Sequence, residues 1–310
     1  MGLLQPFNVY QESWPLLSLI KLLGLYPLTF FESSCMNYLS PIILLTSYFC
    51  LFGCVHDYAR HVQKILMVTS NVTKIRIGRY YMNIILLPMI MITTARNSVK
   101  IRRVFECIDS VDKNMEFLNI KIDYSRNIKI DIVHVTTVVF VTILCNLVDY
   151  YGLLDSDRNY MYVLMWIVDR IPDFVNTVLL CSFAVLTNKI ELRFREINGI
   201  LNNINEGKTF ISVTDSSDVN DNYRLILSKV LLLKLCKTVS LLNDAYGFQL
   251  KVLSVLYIIY LCLHICAVYA VGDIYVYTVD TILSIIWGTL DVIKLVYIIH
   301  LYRVLMLQHA

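Results

Sequence analysis

Six apolar runs divide this chain, and the basic residues between them fall mostly on alternate connections. The runs cover residues 39–55, 80–95, 132–148, 160–187, 252–271 and 281–302. A lipid core about 30 Å thick is crossed by a helix of about 20 mostly apolar residues. Backbone N–H and C=O groups find no water there, so a crossing segment pairs them within a helix or around a closed barrel. These runs are continuous and lack the period-two alternation of barrel strands. The expected fold is all-α, a polytopic membrane helical bundle with six visible spans. Composition agrees, with 57% hydrophobic residues, 16% charged residues and a mean hydropathy of +0.62. A soluble domain carries about a quarter charged residues.

The charges between the runs imply an orientation. Of 27 Lys and Arg, 19 lie ahead of run one, between runs two and three, between runs four and five, or after run six. Six lie on the opposite side, and Arg170 and Lys294 fall inside runs. Cytoplasmic connections carry the Lys/Arg excess. The N-terminus, both long connections and the C-terminus are therefore expected in the cytoplasm of a multi-pass plasma-membrane protein. The sequon Asn71-Val72-Thr73 falls in a connection assigned to the outside, which makes Asn71 the expected glycosylation site.

Along the chain, residues 1–38 read as a cytoplasmic N-terminus. Its apolar stretch from Trp14 is interrupted by Lys21, Gly24 and Pro27, so an interfacial or re-entrant helix is expected. Residues 39–187 hold spans one to four, 188–250 a cytoplasmic loop, 251–303 spans five and six, and 304–310 a tail. Within the loop, residues 208–222 are polar and acidic. Helical patterning resumes near Tyr223 and leads towards the fifth span.

Several function classes find no support. The nine cysteines do not space like a disulfide framework, and the i,i+4 pairs Cys50/Cys54 and Cys262/Cys266 read as packing residues. No connection supplies His/Cys partners for zinc. A glycine-rich phosphate loop, a nucleophile elbow and His-Glu-x-x-His are all absent from the sequence. We expect no enzyme activity, no catalytic residues, no metal, no cofactor and no nucleic-acid partner. The two halves do not match, which argues against an inverted-repeat transporter.

Charges inside spans carry the sharpest functional signal, because an ionisable group facing lipid costs several kcal/mol. The fourth run contains Trp166-Ile167-Val168-Asp169-Arg170-Ile171-Pro172-Asp173. Asp169 lies about nine residues into the run, roughly 13 Å at 1.5 Å per residue. Pro172 is expected to kink the helix. Asp169 and Asp173, at i,i+4, share a face, and Arg170 can pair directly with one of them. A kinked, charged, aromatic segment at this depth suits a ligand cavity; a structural ion pair is compatible with it. In the sixth run, Asp291 and Lys294 at i,i+3 are expected to neutralise each other. Trp287 lies one turn away and is expected to line the same cavity. The candidate ligand-binding residues are Trp166, Asp169, Arg170, Asp173 and Trp287. Tyr150, Tyr151, Tyr160, Tyr275 and Tyr277 read as an interfacial aromatic belt.

Three segments resemble a known family. Leu192-Arg193-Phe194-Arg195-Glu196-Ile197-Asn198-Gly199-Ile200-Leu201-Asn202 resembles the Arg-Phe-x-x-Leu-Asn-x-x-Leu pattern of insect gustatory receptors. Leu242-Asn243-Asp244-Ala245-Tyr246-Gly247-Phe248-Gln249-Leu250 resembles their Asn-x-x-Phe/Tyr-Gly-x-x-Leu entry into the fifth span. Lys21-Leu22-Leu23-Gly24-Leu25-Tyr26-Pro27 looks like their Lys-Leu-Leu-Gly-Leu-x-Pro opening.

The resemblance implies a seven-helix fold with an intracellular N-terminus. It also implies homo- or hetero-tetrameric assembly in the bilayer into a cation channel gated by a small-molecule tastant. The helix around residues 223–249 would map to the family's cytoplasmic anchor. At the end of the chain, Tyr302 and Gln308 have the Tyr-to-Gln spacing of the family's last-span signature, but Leu301 and His309 replace its Thr and Phe. The expectation is a chemosensory receptor subunit lacking the seventh span. The alternatives are a secondary transporter and a truncated, non-conducting receptor subunit.

Overall fold

The computed structural model describes residue 6 and residues 8–25, 39–67, 71–152, 160–205, 217–270 and 278–307. Every regular element among them is a helix. Two short helices, α1 (Val9–Glu12) and α2 (Trp14–Leu22), precede six long ones. These are α3 (Leu39–Met67), α4 (Asn71–Glu116), α5 (Tyr124–Gly152), α6 (Tyr160–Asn205), α7 (Ser217–Ala270) and α8 (Thr278–Leu307). All six are long and apolar enough to cross a membrane, as the six runs require.

Three helices outgrow their runs. Helices α4 and α6 have 46 residues each and α7 has 54. At 1.5 Å per residue, 46 residues reach about 69 Å, more than twice a lipid core. The basic segments beyond runs two and four thus continue as helix. The patterning that resumes near Tyr223 joins the fifth run without a break in α7. Pro88 and Pro172 both lie inside helices that continue past them.

Helix α6 occupies the centre. In its apolar window 83% of residues are buried, against 17% in α3 and in α5. The most extensive packing joins α4 to α7, followed by α7 to α8 and α6 to α7. The outer helices turn Ile42, Ile43, Val133, Phe140, Val255 and Ile293 outwards, an apolar exterior that suits lipid contact.

The end of the bundle carrying α1 and α2 is called the base here. Asn8 caps α1, its side chain accepting from the Gln11 N–H at 2.9 Å. Helix α2, nine residues long, is too short to cross. It stops at Gly24, whose φ is +64°. The Leu25 N–H donates to the Ile20 carbonyl at 2.9 Å and the Gly24 N–H to the Lys21 carbonyl at 3.0 Å, a Schellman turn. A Cβ at Gly24 would stand 2.9 Å from Leu44 Cδ1 and 3.1 Å from the Pro41 backbone. Glycine is required there by conformation and by space. Buried Leu16, Ile20 and Leu25 seat this segment in the core. Tyr10 stacks on Phe105 at 5.5 Å; burial, then the Glu106 and Asp109 carboxylates, push its phenol above the usual range.

Candidate ligand-binding site

Apolar periodicity on α5, α6 and α8 builds three walls around a cavity of about 210 Å³. Thr142 and Cys145 come from α5, Asp173 and Thr177 from α6, Trp287 and Lys294 from α8. Most of the lining is apolar, and the convergent polar groups are few, which is the usual composition of a small-molecule pocket.

One ion pair crosses it. Lys294 Nζ donates to Asp173 Oδ1 at 3.0 Å, and the ammonium also lies 5.4 Å from the Tyr257 ring centre on α7. Lys294 therefore joins three helices. At one side, the Arg170 guanidinium sits 4.5 Å above the Trp287 ring, a favourable cation–π distance. Arg170 Nε is 3.5 Å from Asp169 Oδ2. Further along, Tyr297 and His134 meet at 3.2 Å and link α8 to α5.

The structure thus brings together Asp173 and Trp287 in the lining and places Arg170 against Trp287. Asp169 is not in the lining, and its backbone carbonyl accepts from Asn83 Nδ2 at 3.4 Å. Trp166 packs edge-on against Tyr150 at 5.2 Å, also outside the lining. The expected pairing within α8 is corrected. Lys294 reaches across to Asp173, whereas Asp291 is turned to α7, with its Oδ2 3.7 Å from His264 Nε2. The three-residue offset places the two side chains at different angles around α8, and packing gives each a closer partner on another helix. Asn71 begins α4, and its side chain lies outside the described residues. So do the side chains of Tyr151, Tyr275 and Tyr277. Tyr160 is exposed, as a belt residue would be.

Sequence reasoning missed a second charged cluster, at the base. Arg193 of α6 donates through Nε to Asp112 Oδ1 at 2.9 Å and through Nη2 to Asp112 Oδ2 at 2.8 Å. Its third donor, Nη1, reaches the Lys189 carbonyl at 2.9 Å. Lys189 Nζ lies 2.8 Å from Glu12 Oε1 and 2.6 Å from Asp131 Oδ2. The Tyr124 hydroxyl donates to Asp112 Oδ2 at 2.9 Å. Helices α1, α4, α5 and α6 are thereby tied together, and no side chain in the four ion pairs is more than 4% exposed.

By sequence position these cations count among the connection charges. The available signal was Ile190, Phe194 and Ile197, an apolar stripe beside Arg193 at helical spacing. All three are buried.

The segments that carried the family resemblance occupy structural positions. Gly24 forms the α2 turn, Arg193 centres the base network, and Tyr246 packs on Phe183 at 5.6 Å. No curated protein matches the chain. The family comparison does give a match. Residues 15–309 match the 7tm chemosensory receptor family, and the chain, an all-helical membrane protein with a mostly apolar cavity between α5, α6 and α8, belongs to that family.

Proposed function

We propose that this chemosensory receptor is of the gustatory type, a subunit of a tetrameric cation channel opened by a small-molecule tastant that enters the α5–α6–α8 cavity. The observation carrying the reading is the Asp173–Lys294 pair: two charges in an apolar cavity, joined across two helices at 3.0 Å. A ligand with a polar group can compete for either charge while its apolar part fills the space beside Trp287. Because the pair joins α6 to α8, such competition alters how those helices hold together. That is a route from binding to a change of conformation.

In this reading the protein sits in the plasma membrane with the base in the cytoplasm. The distribution of 19 against six basic residues supports that orientation, and Asn71 then lies outside, open to glycosylation. Residues 39–187 and 251–303 span the bilayer. The extension of α7 from Ser217 to its apolar part is the anchor at which subunits meet.

The test is whole-cell recording from cells expressing the chain, exposed to a panel of sugars and bitter compounds, with surface labelling in the same cells. The expected result is a ligand-evoked cation current that D173N shifts to higher concentration. Substrate flux without unitary conductance would replace this reading with a secondary transporter. Ligand binding without current at the surface would mark a receptor subunit that does not conduct by itself.

A further inference from the structure

One turn along α6 from Asp173, Asp169 belongs to a second polar group that the cavity does not use. Helix α3 presents Tyr48, Phe52 and His56 at i, i+4 and i+8, one stripe along one side of the helix. Phe52 packs on His56 at 5.1 Å and on Tyr80 of α4 at 5.7 Å. Tyr48 and Tyr80 are 3% and 5% exposed. Asn83, one turn from Tyr80 on α4, donates to the Asp169 carbonyl of α6 at 3.4 Å, and α3 packs on α6, which brings both tyrosines to the Asp169 region. The Tyr48 and Tyr80 hydroxyls, Asp169 Oδ1 and His56 Nδ1 are all sealed from solvent and find no hydrogen-bond partner among the described residues. Beside them, Asn83 is satisfied: the Tyr260 hydroxyl donates to its Oδ1 at 2.8 Å.

Buried polar atoms in native proteins are almost always paired, and a carboxylate oxygen at this depth is costly to leave bare. Arg170 approaches the other oxygen of Asp169, at 3.5 Å, while its guanidinium lies on Trp287. An open carboxylate oxygen in a region of buried tyrosines is an arrangement suited to an organic cation. A hard metal ion asks for about six oxygens. The described side chains offer three sealed ones.

We propose that Tyr48, Phe52, His56, Tyr80 and Asp169 form a binding site for a small protonated amine. The ammonium takes Asp169 Oδ1 and a tyrosine hydroxyl, and the carbon skeleton lies on the rings. The site stands apart from the α5–α6–α8 cavity and does not depend on its assignment. Arg170 joins the two: an ammonium on Asp169 weakens the Arg170 contact and leaves the guanidinium to Trp287, at the cavity wall. An amine is then both a ligand and a modulator of whatever the cavity binds.

The test is thermal unfolding of the purified full chain in detergent, with phenylethylammonium chloride, sodium chloride at equal ionic strength, and 2-phenylethanol. The amine is expected to raise the midpoint saturably, the salt and the alcohol to leave it unchanged. D169N abolishes the shift and D173N retains it. Y48F and Y80F, which remove only a hydroxyl, raise the half-saturating concentration about fivefold, the equivalent of one hydrogen bond. They keep the test valid if D169N fails to fold. An equal shift with sodium, an equal shift in D169N, or no change of half-saturation in both tyrosine variants would overturn the proposal. Loss of the shift in D173N would place the amine in the cavity instead.

Discussion

Helix α6 carries two charged clusters about five turns apart, and they are built in opposite ways. At the base, Arg193 meets Asp112 through two parallel bonds, and Lys189 is shared by two carboxylates. Four helices converge there in full burial. In the cavity, Lys294 and Asp173 make one contact, and Arg170 rests on a ring with a 3.5 Å approach to its neighbour. A bidentate, fully enclosed pair has geometry that resists change. A single contact beside open space can be exchanged for a ligand's. The difference teaches that a charge inside a membrane bundle is read by how its partner holds it, not by its depth alone.

The largest effect expected from breaking this contrast is at the base. R193M leaves Asp112 and Glu12 as buried anions and should cost about 3–5 kcal/mol, read as lost surface expression and early thermal unfolding in detergent. R193M with D112L should recover part of that stability, because an apolar pair leaves fewer stranded charges. R193K keeps the charge but loses the fork, so it should fall between the two.

At the cavity the effect moves from stability to response. D173N should cost less than about 1.5 kcal/mol, since an amide still accepts a bond from Lys294. It should raise the ligand concentration for half-maximal response about tenfold, the equivalent of about 1.4 kcal/mol of a charge-assisted bond. W287F keeps an aromatic face under Arg170 but a weaker one, so potency should change only about two- to fourfold, from a cation–π difference of about 0.5–1 kcal/mol. The smallest effect belongs to R102A. Its pair with Glu106 is exposed, so less than about 0.5 kcal/mol is expected, with no change of response.

Much of the architecture was legible in the sequence because lipid imposes length and apolarity on each span. The continuity of α7 was visible for the same reason: its pattern resumes at Tyr223 and does not stop before the fifth run. Trp287 and Asp173, which line the cavity, stand out in the sequence because an ionisable or aromatic group inside an apolar run is conspicuous. The partner of Lys294 was not. Spacing within one helix gives candidates at i+3 and i+4, whereas the choice between Asp291 and Asp173 is made by how α6 and α8 pack. Arg193 was missed for a related reason. Past the end of an apolar run a cation in sequence looks like a solvated one, and α1, folding back with Glu12, shows it to be enclosed. The conformation of Gly24 was equally hidden, although the residue stood in a quoted motif, because a positive φ has no signature beyond the glycine itself.

The most direct measurement is a pair of double-mutant cycles on the unfolding of the purified full chain, one at Asp112/Arg193 and one at Asp173/Lys294. The account predicts a coupling of about 2–3 kcal/mol at the base and under about 1 kcal/mol in the cavity. Equal couplings, or a stronger one in the cavity, would contradict the division of α6 into a clasp and a responsive site.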